Sequence, residues 1–187
     1  MICRYRCRFG GLKLTLDFDQ FDRMHFPTRG WSSRVQNFDS HEAGYSRLDA
    51  EVQGAFSLGD SVFNGRVSYA GSPNGALPVY DAGTLVGFRN MTAYAKGQII
   101  GDDIGDVGIG AEQIIGRLPL GLRGDMRFGI FLEAARAGYR YTDEGRAGVL
   151  DSLAVYLGDE TPFDPTHLGF GYSTSGVYNL FFSVGVR

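Results

Sequence analysis

The sequence predicts an all-β fold, an antiparallel up-and-down sheet of about nine strands, on three observations. Apolar residues recur at every second position through nine separate segments, the period of a strand with one apolar face. The alternate positions carry charges of both signs or small residues, and the connections between segments are long at one end of the sheet and short at the other. A protein with 28 glycines, 24 Phe and Tyr residues and only 6 prolines has the composition of a β-rich chain with tight turns.

The first segment is the most regular: Leu12, Leu14, Leu16 and Phe18 alternate with Lys13, Thr15, Asp17 and Asp19. Phe26-Pro27-Thr28-Arg29-Gly30 breaks it, because proline cannot donate to a ladder and glycine supplies the turn. A weaker strand spans Trp31 to Phe38, followed by a polar loop from Asp39 to Gly44. Leu48, Ala50, Val52, Phe56 and Leu58 face one way from the next strand, and Arg47, Asp49, Glu51 and Gln53 the other. Leu58-Gly59-Asp60 then closes a hairpin onto Phe63, Val67 and Tyr69.

From Gly71 to about Gly105 the alternation is lost in a segment containing Pro73 and Pro78, and insertions of that size are usually functional in a compact domain. Alternation resumes at Val107, Ile109, Ala111 and Ile115, with Gln113 as an exception. It continues at Met126, Phe128, Ile130, Leu132 and Ala134, then at Leu153, Val155 and Leu157. The terminal hairpin sets Leu168, Phe170 and Tyr172 against Tyr178, Leu180, Phe182, Val184 and Val186.

Bulk properties bound the function. The formal charge of −3 argues against a nucleic-acid partner, which calls for a clustered basic excess. No window approaches the roughly 18 apolar residues of a membrane helix, which leaves strands as the only means of spanning. Residues 1–10 read as a linker-like or non-native N-terminus, basic but without the apolar run of a secretory signal. Cys3 and Cys7 have no nearby His or Cys to complete a metal site, and no cofactor motif appears.

In a sandwich the apolar faces look inward at a core; in an outer-membrane barrel they look outward at lipid. Taking the C-terminus as one end, the connections near residues 24–29, 58–61, 119–124 and 159–165 lie beside it and are short. Those near 39–44, 71–105 and 137–149 lie at the far end and are longer, with the 173–176 turn as the exception. That is the loop arrangement of an outer-membrane barrel. Asp17, Asp19, Arg47, Asp49, Glu51, Arg66, Arg127 and Glu133 then suit a wet lumen. Phe56, Tyr69, Tyr139, Tyr141, Phe163 and Tyr172 suit interfacial girdles.

At Phe26, Pro27, Thr28, Arg29 and Gly30 the chain resembles the C-terminal barrel of the outer-membrane assembly and two-partner-secretion superfamily, the bacterial surface antigens. The resemblance recurs at Leu85 to Tyr94 and at Thr161 to Tyr172, most like the branch in which the barrel follows a patatin-like phospholipase domain. It covers residues 11–187 and implies the last nine strands of a sixteen-stranded outer-membrane barrel, so that the chain is expected to be a fragment or a truncated product. It also implies a periplasmic turn at Phe26–Gly30, and a lumen loop whose tip carries an arginine before a Gly-Phe pair. An acidic residue on a later strand, matching Glu133, holds that arginine. Gly87 and Phe88 match the pair, but Val86 stands where the arginine belongs and Arg89 follows. The partner of Glu133 is therefore Arg89 or another group, and Gly87 and Phe88 serve equally well simply to pack the loop. Val186-Arg187 departs from the aromatic ending of the family.

The expected location is the bacterial outer membrane. Expected partners are membrane lipid, the barrel assembly machinery, and N-terminal strands or a passenger domain beyond this chain. The expected role is to anchor a passenger such as a patatin-like lipase and help export or assemble it. The rivals are a small porin-like or adhesin-like barrel and a soluble lipocalin-like binder. No catalytic motif is expected: the nearest string to a nucleophile elbow, Gly171-Tyr172-Ser173-Thr174-Ser175, ends in serine and sits in a hairpin, while His25, His41 and His167 show no ligand spacing.

Overall fold

The alternating segments pair in sequence order. The computed structural model describes residues 10–85, 87–95, 97–117, 124–138, 148–160 and 164–185. In it β1 (Leu12–Asp19), β2 (Gly30–Ser40), β3 (Tyr45–Leu58) and β4 (Ser61–Gly71) form successive antiparallel neighbours. A short pair, β5 (Gly83–Leu85) and β6 (Ile99–Gly101), stands apart from them. Then β7 (Asp103–Arg117), β8 (Asp125–Ala137), β9 (Leu150–Glu160), β10 (Pro165–Tyr172) and β11 (Tyr178–Val184) complete a nine-stranded up-and-down sheet. The sheet does not close on itself: β1 and β11 are its two edges.

Register explains which side chains share a face. Phe56, Phe63, Ala111, Ile130, Val155, Phe170 and Leu180 lie directly opposite one another across seven strands. This face is bare, with Leu12 77%, Leu132 52% and Leu180 75% exposed. Gln113, the exception in the alternation, accepts a hydrogen bond from Ser61 Oγ at 2.7 Å, so two polar groups on the bare face satisfy each other.

The other face carries the charges and is covered from β4 to β10, whereas β1 is exposed on both faces. The segment predicted from Gly71 to about Gly105 to lack structure instead forms, within residues 72–102, a 3-10 turn at Val79–Asp81 and the β5–β6 pair, and it folds back across β7–β10. Leu85, Met91, Ala93, Tyr94 and Ile99 from this segment pack on Ile104, Ala135, Ala137 and Leu150. The core therefore lies between the sheet and its own insertion. Glycines on the covered face make room for it: a Cβ on Gly171 would lie 2.7 Å from the Ala93 nitrogen, and one on Gly169 2.6 Å from the Phe181 ring.

The sheet curls toward this face. Five strand steps separate β2 from β9, about 24 Å if the sheet were flat. Yet Phe26, in the connection between β1 and β2, lies against Gly158 of β9 and 4.8 Å from the ring of His167 on β10. Arg23 of the same connection pairs with Asp125 of β8 at 3.1 Å.

Loop lengths sort less cleanly than the sequence predicted. The far-end connection between β2 and β3 is a tight turn at 41–44, shorter than the near-end connection at 20–29. The asymmetry rests on residues 72–102 and 138–149. Cys3, Cys7, Tyr139, Tyr141 and Phe163, and the turn near 119–124 apart from its last residue, lie outside the described residues.

The 20–29 connection is built on Asp22, whose carboxylate accepts from the amides of Thr28 (2.9 Å) and Arg29 (3.0 Å) and from the Thr28 hydroxyl. Burial pushes this carboxyl up, but these donors outweigh it and hold the pKa below the ordinary 3.8. A depressed folded pKa contributes stability that is complete above 3.8 and is lost as pH falls through the lower folded value. In an NMR titration in micelles, the Thr28 and Arg29 amide shifts should move with a midpoint below 3.8; a midpoint above it contradicts the assignment. Gly30 closes the turn at φ +116°, and a Cβ there would collide with the Gln20 carbonyl. Gly44, at φ +68° with open space around it, should cost about 1–2 kcal/mol as Gly44→Ala in urea unfolding; Gly30→Ala should cost more.

Candidate functional site

Charge on a buried strand face has to be met by donors, and Glu133 shows how. Alternation along β8 turns it inward, where it is 7% exposed. Its carboxylate accepts from the backbone amides of Met91 (2.9 Å) and Thr92 (2.7 Å), from Thr92 Oγ1 (3.2 Å) and from Ser152 Oγ (2.6 Å). Ser152 lies opposite Glu133 on β9 and its Oγ also accepts from the Ala93 amide at 3.0 Å. Asn179 of β11 donates to the Thr92 carbonyl at 3.2 Å. The inserted segment is thus latched at residues 91–93 by three strands.

Arg89 does not reach Glu133. Its guanidinium donates to Asn64 Oδ1 at 2.9 Å and lies 4.8 Å over the Phe131 ring, while its carbonyl accepts from Arg66 at 2.7 Å. The loop groups that meet Glu133 are the Met91 and Thr92 amides and the Thr92 hydroxyl, and the two amides have no one-letter signature. Arg89 and Met91 adopt φ of +62° and +60°, uncommon for residues with a Cβ. This geometry accompanies the turning of two successive amides toward one carboxylate, and the Thr92 hydroxyl also accepts from the Arg89 amide at 3.0 Å. Gly87 is exposed with open space at its Cβ position, and Val86 lies outside the described residues.

Phe88 enters an aromatic cluster. Its ring lies 4.6 Å from Tyr156, 4.5 Å from His167 and 5.1 Å from Phe181. Phe26 reaches the same histidine from the opposite end of the sheet, and Arg127 lies 5.0 Å over its ring. In the predicted turn motif Phe26 is therefore a buried anchor at φ +45°, while Thr28 and Arg29 lend their amides to Asp22 and Pro27 bridges the two parts.

Sequence reasoning missed the group joining these ends. Glu112 of β7 accepts from Arg127 Nη1 (2.9 Å), Tyr156 Oη (2.7 Å) and Asn64 Nδ2 (3.2 Å), all on the covered face. Strand register would have found it, since Glu112 lies opposite Gly129, two residues from Arg127 on the same face. Ser173 of the serine-ending string bonds with Tyr94 Oη at 2.9 Å and Ser175 Oγ at 2.9 Å. Among the described residues no cluster of three His, Cys, Asp or Glu groups has metal-binding geometry.

No protein-family model matches this chain, and no curated protein matches its sequence.

Removing the Glu133 carboxylate leaves several buried donors unmet, at about 1–3 kcal/mol for each group left without a partner. Glu133→Ala should raise the rate of trypsin cleavage after Arg89 by an order of magnitude or more, and Glu133→Gln should raise it less. Equal cleavage of both variants and the parent would show that the latch does not hold the segment.

Proposed function

We propose that the nine-stranded sheet is part of the wall of a bacterial outer-membrane β-barrel of the surface-antigen type that the sequence resembles. Its role is to anchor an attached passenger in the membrane and to take part in its export or assembly. One observation carries this reading. From β4 to β10 the polar face is the covered one and the apolar face is the bare one, the reverse of a soluble sheet, and a bare apolar row runs across seven strands from β3 to the edge at β11. Isolated apolar side chains on a surface are ordinary, but a continuous face of this extent marks contact with another apolar phase. A lipocalin-like binder would turn these residues toward a ligand in its interior.

On this reading membrane lipid covers the bare face and the barrel assembly machinery inserts it. Further strands meet the edges at β1 and β11, because an unpaired ladder cannot remain in hydrocarbon. The resemblance supplies the count of sixteen strands and the patatin-like lipase as passenger.

Expressed in a Gram-negative cell, the protein should sediment with the outer membrane, resist urea and alkaline extraction, and dissolve only in detergent. Ile130→Arg or Leu132→Arg places a charge in the middle of the bare face at about 2–4 kcal/mol and should deplete the membrane fraction. Thr15→Arg, on the opposite, polar face of β1, should not. Recovery of the parent protein in the aqueous fraction, or indifference to Ile130→Arg, contradicts the proposal.

A further inference from the structure

All three residues other than glycine with positive φ among those described, Phe26, Arg89 and Met91, belong to two segments that enter the covered face from opposite ends. Such conformations persist where surrounding contacts over-determine them. Two routes of contact join the segments. The aromatic route runs from Phe88 to His167 at 4.5 Å and on to Phe26 at 4.8 Å. The polar route runs from Arg89 to Asn64 at 2.9 Å, from Asn64 to Glu112 at 3.2 Å, and from Arg127 to Glu112 at 2.9 Å, with the Arg127 guanidinium over Phe26.

Neither route is easily broken at one point. Arg127 is fully buried and held at Nη1 by Glu112, so displacing Glu112 strands a charge in the interior. Phe26 fills the space beside Gly158 and shields both Arg127 and His167, so its withdrawal exposes a cation and a ring together. Withdrawal of Phe88 uncovers the same histidine from the other side.

We infer that the loop tip at 87–93 and the turn at 20–29 form a single two-ended plug, in which release of either end loosens the other. The inference stands on the covered face alone and holds whether or not the bare face meets lipid. Coupling of this kind is reciprocal.

Hydrogen exchange on the full chain in detergent micelles tests it, with the 41–44 turn, which touches neither route, as internal reference. The readout is the exchange rate of each plug segment divided by that of the reference, so that general loosening cancels. Arg89→Ala, which cuts the polar route at the tip but keeps the Glu133 latch, should speed exchange at 20–29 by about five- to tenfold over the reference. Phe26→Leu should speed exchange at 87–93 by a similar factor. A change confined to the mutated end in both variants, with the other end following the reference, overturns the inference. Failure of the membrane reading would show instead in the fractionation of the parent protein and leave these ratios untouched.

Discussion

Buried charge that must be met by hydrogen-bond partners governs this structure. A sheet that turns its apolar residues outward places Glu112, Arg127 and Glu133 on the face it covers, and each of these groups needs partners where water is scarce. The partners come from far along the chain. Glu133 takes backbone amides from the inserted segment, and Glu112 takes Arg127, Tyr156 and Asn64 from three other strands. The inserted segment is therefore part of the fold, since without it the Glu133 carboxylate would keep only Ser152 among these donors.

Glycine serves the same end by subtraction. Large side chains on the covered face lean across glycines on neighbouring strands: Phe131 over Gly108 and Gly110, Tyr156 over Gly129, Phe181 over Gly169. Gly171 lets the backbone of the inserted segment approach β10 closely enough for Ser152 and Asn179 to reach it. A composition that first suggests many turns thus also records a crowded interior built from aromatic rings and absent side chains.

The strands and their faces were legible because a period of two is enforced residue by residue: Leu12 to Phe18 and Met126 to Ala134 could each be oriented from letters alone. Glu133 could be turned inward by the same rule, and its role as an anchor came from resemblance. What could not be read was the identity of its partners, because amide groups are common to every residue and only the φ values of Arg89 and Met91 aim two of them together. The insertion of Phe26 was hidden for a related reason: a Phe-Pro pair signals a turn, whereas its packing against His167 and Arg127 depends on the curl of strands more than a hundred residues away. The 41–44 turn misled because its polar letters extend into β2, where Asp39 and Ser40 are paired.

The central claim is that the bare face meets lipid and the covered face does not. Nitroxide labels placed one at a time along residues 128–134 of β8, in a Cys3→Ser, Cys7→Ser background and reconstituted into vesicles, test it most directly. Collision with oxygen dissolved in the bilayer should be high at positions 128, 130, 132 and 134 and low at 129, 131 and 133, with no access for a water-soluble nickel chelate at the first set. Strong collision with the chelate at positions 130 and 132 would place the apolar face in water and contradict the account.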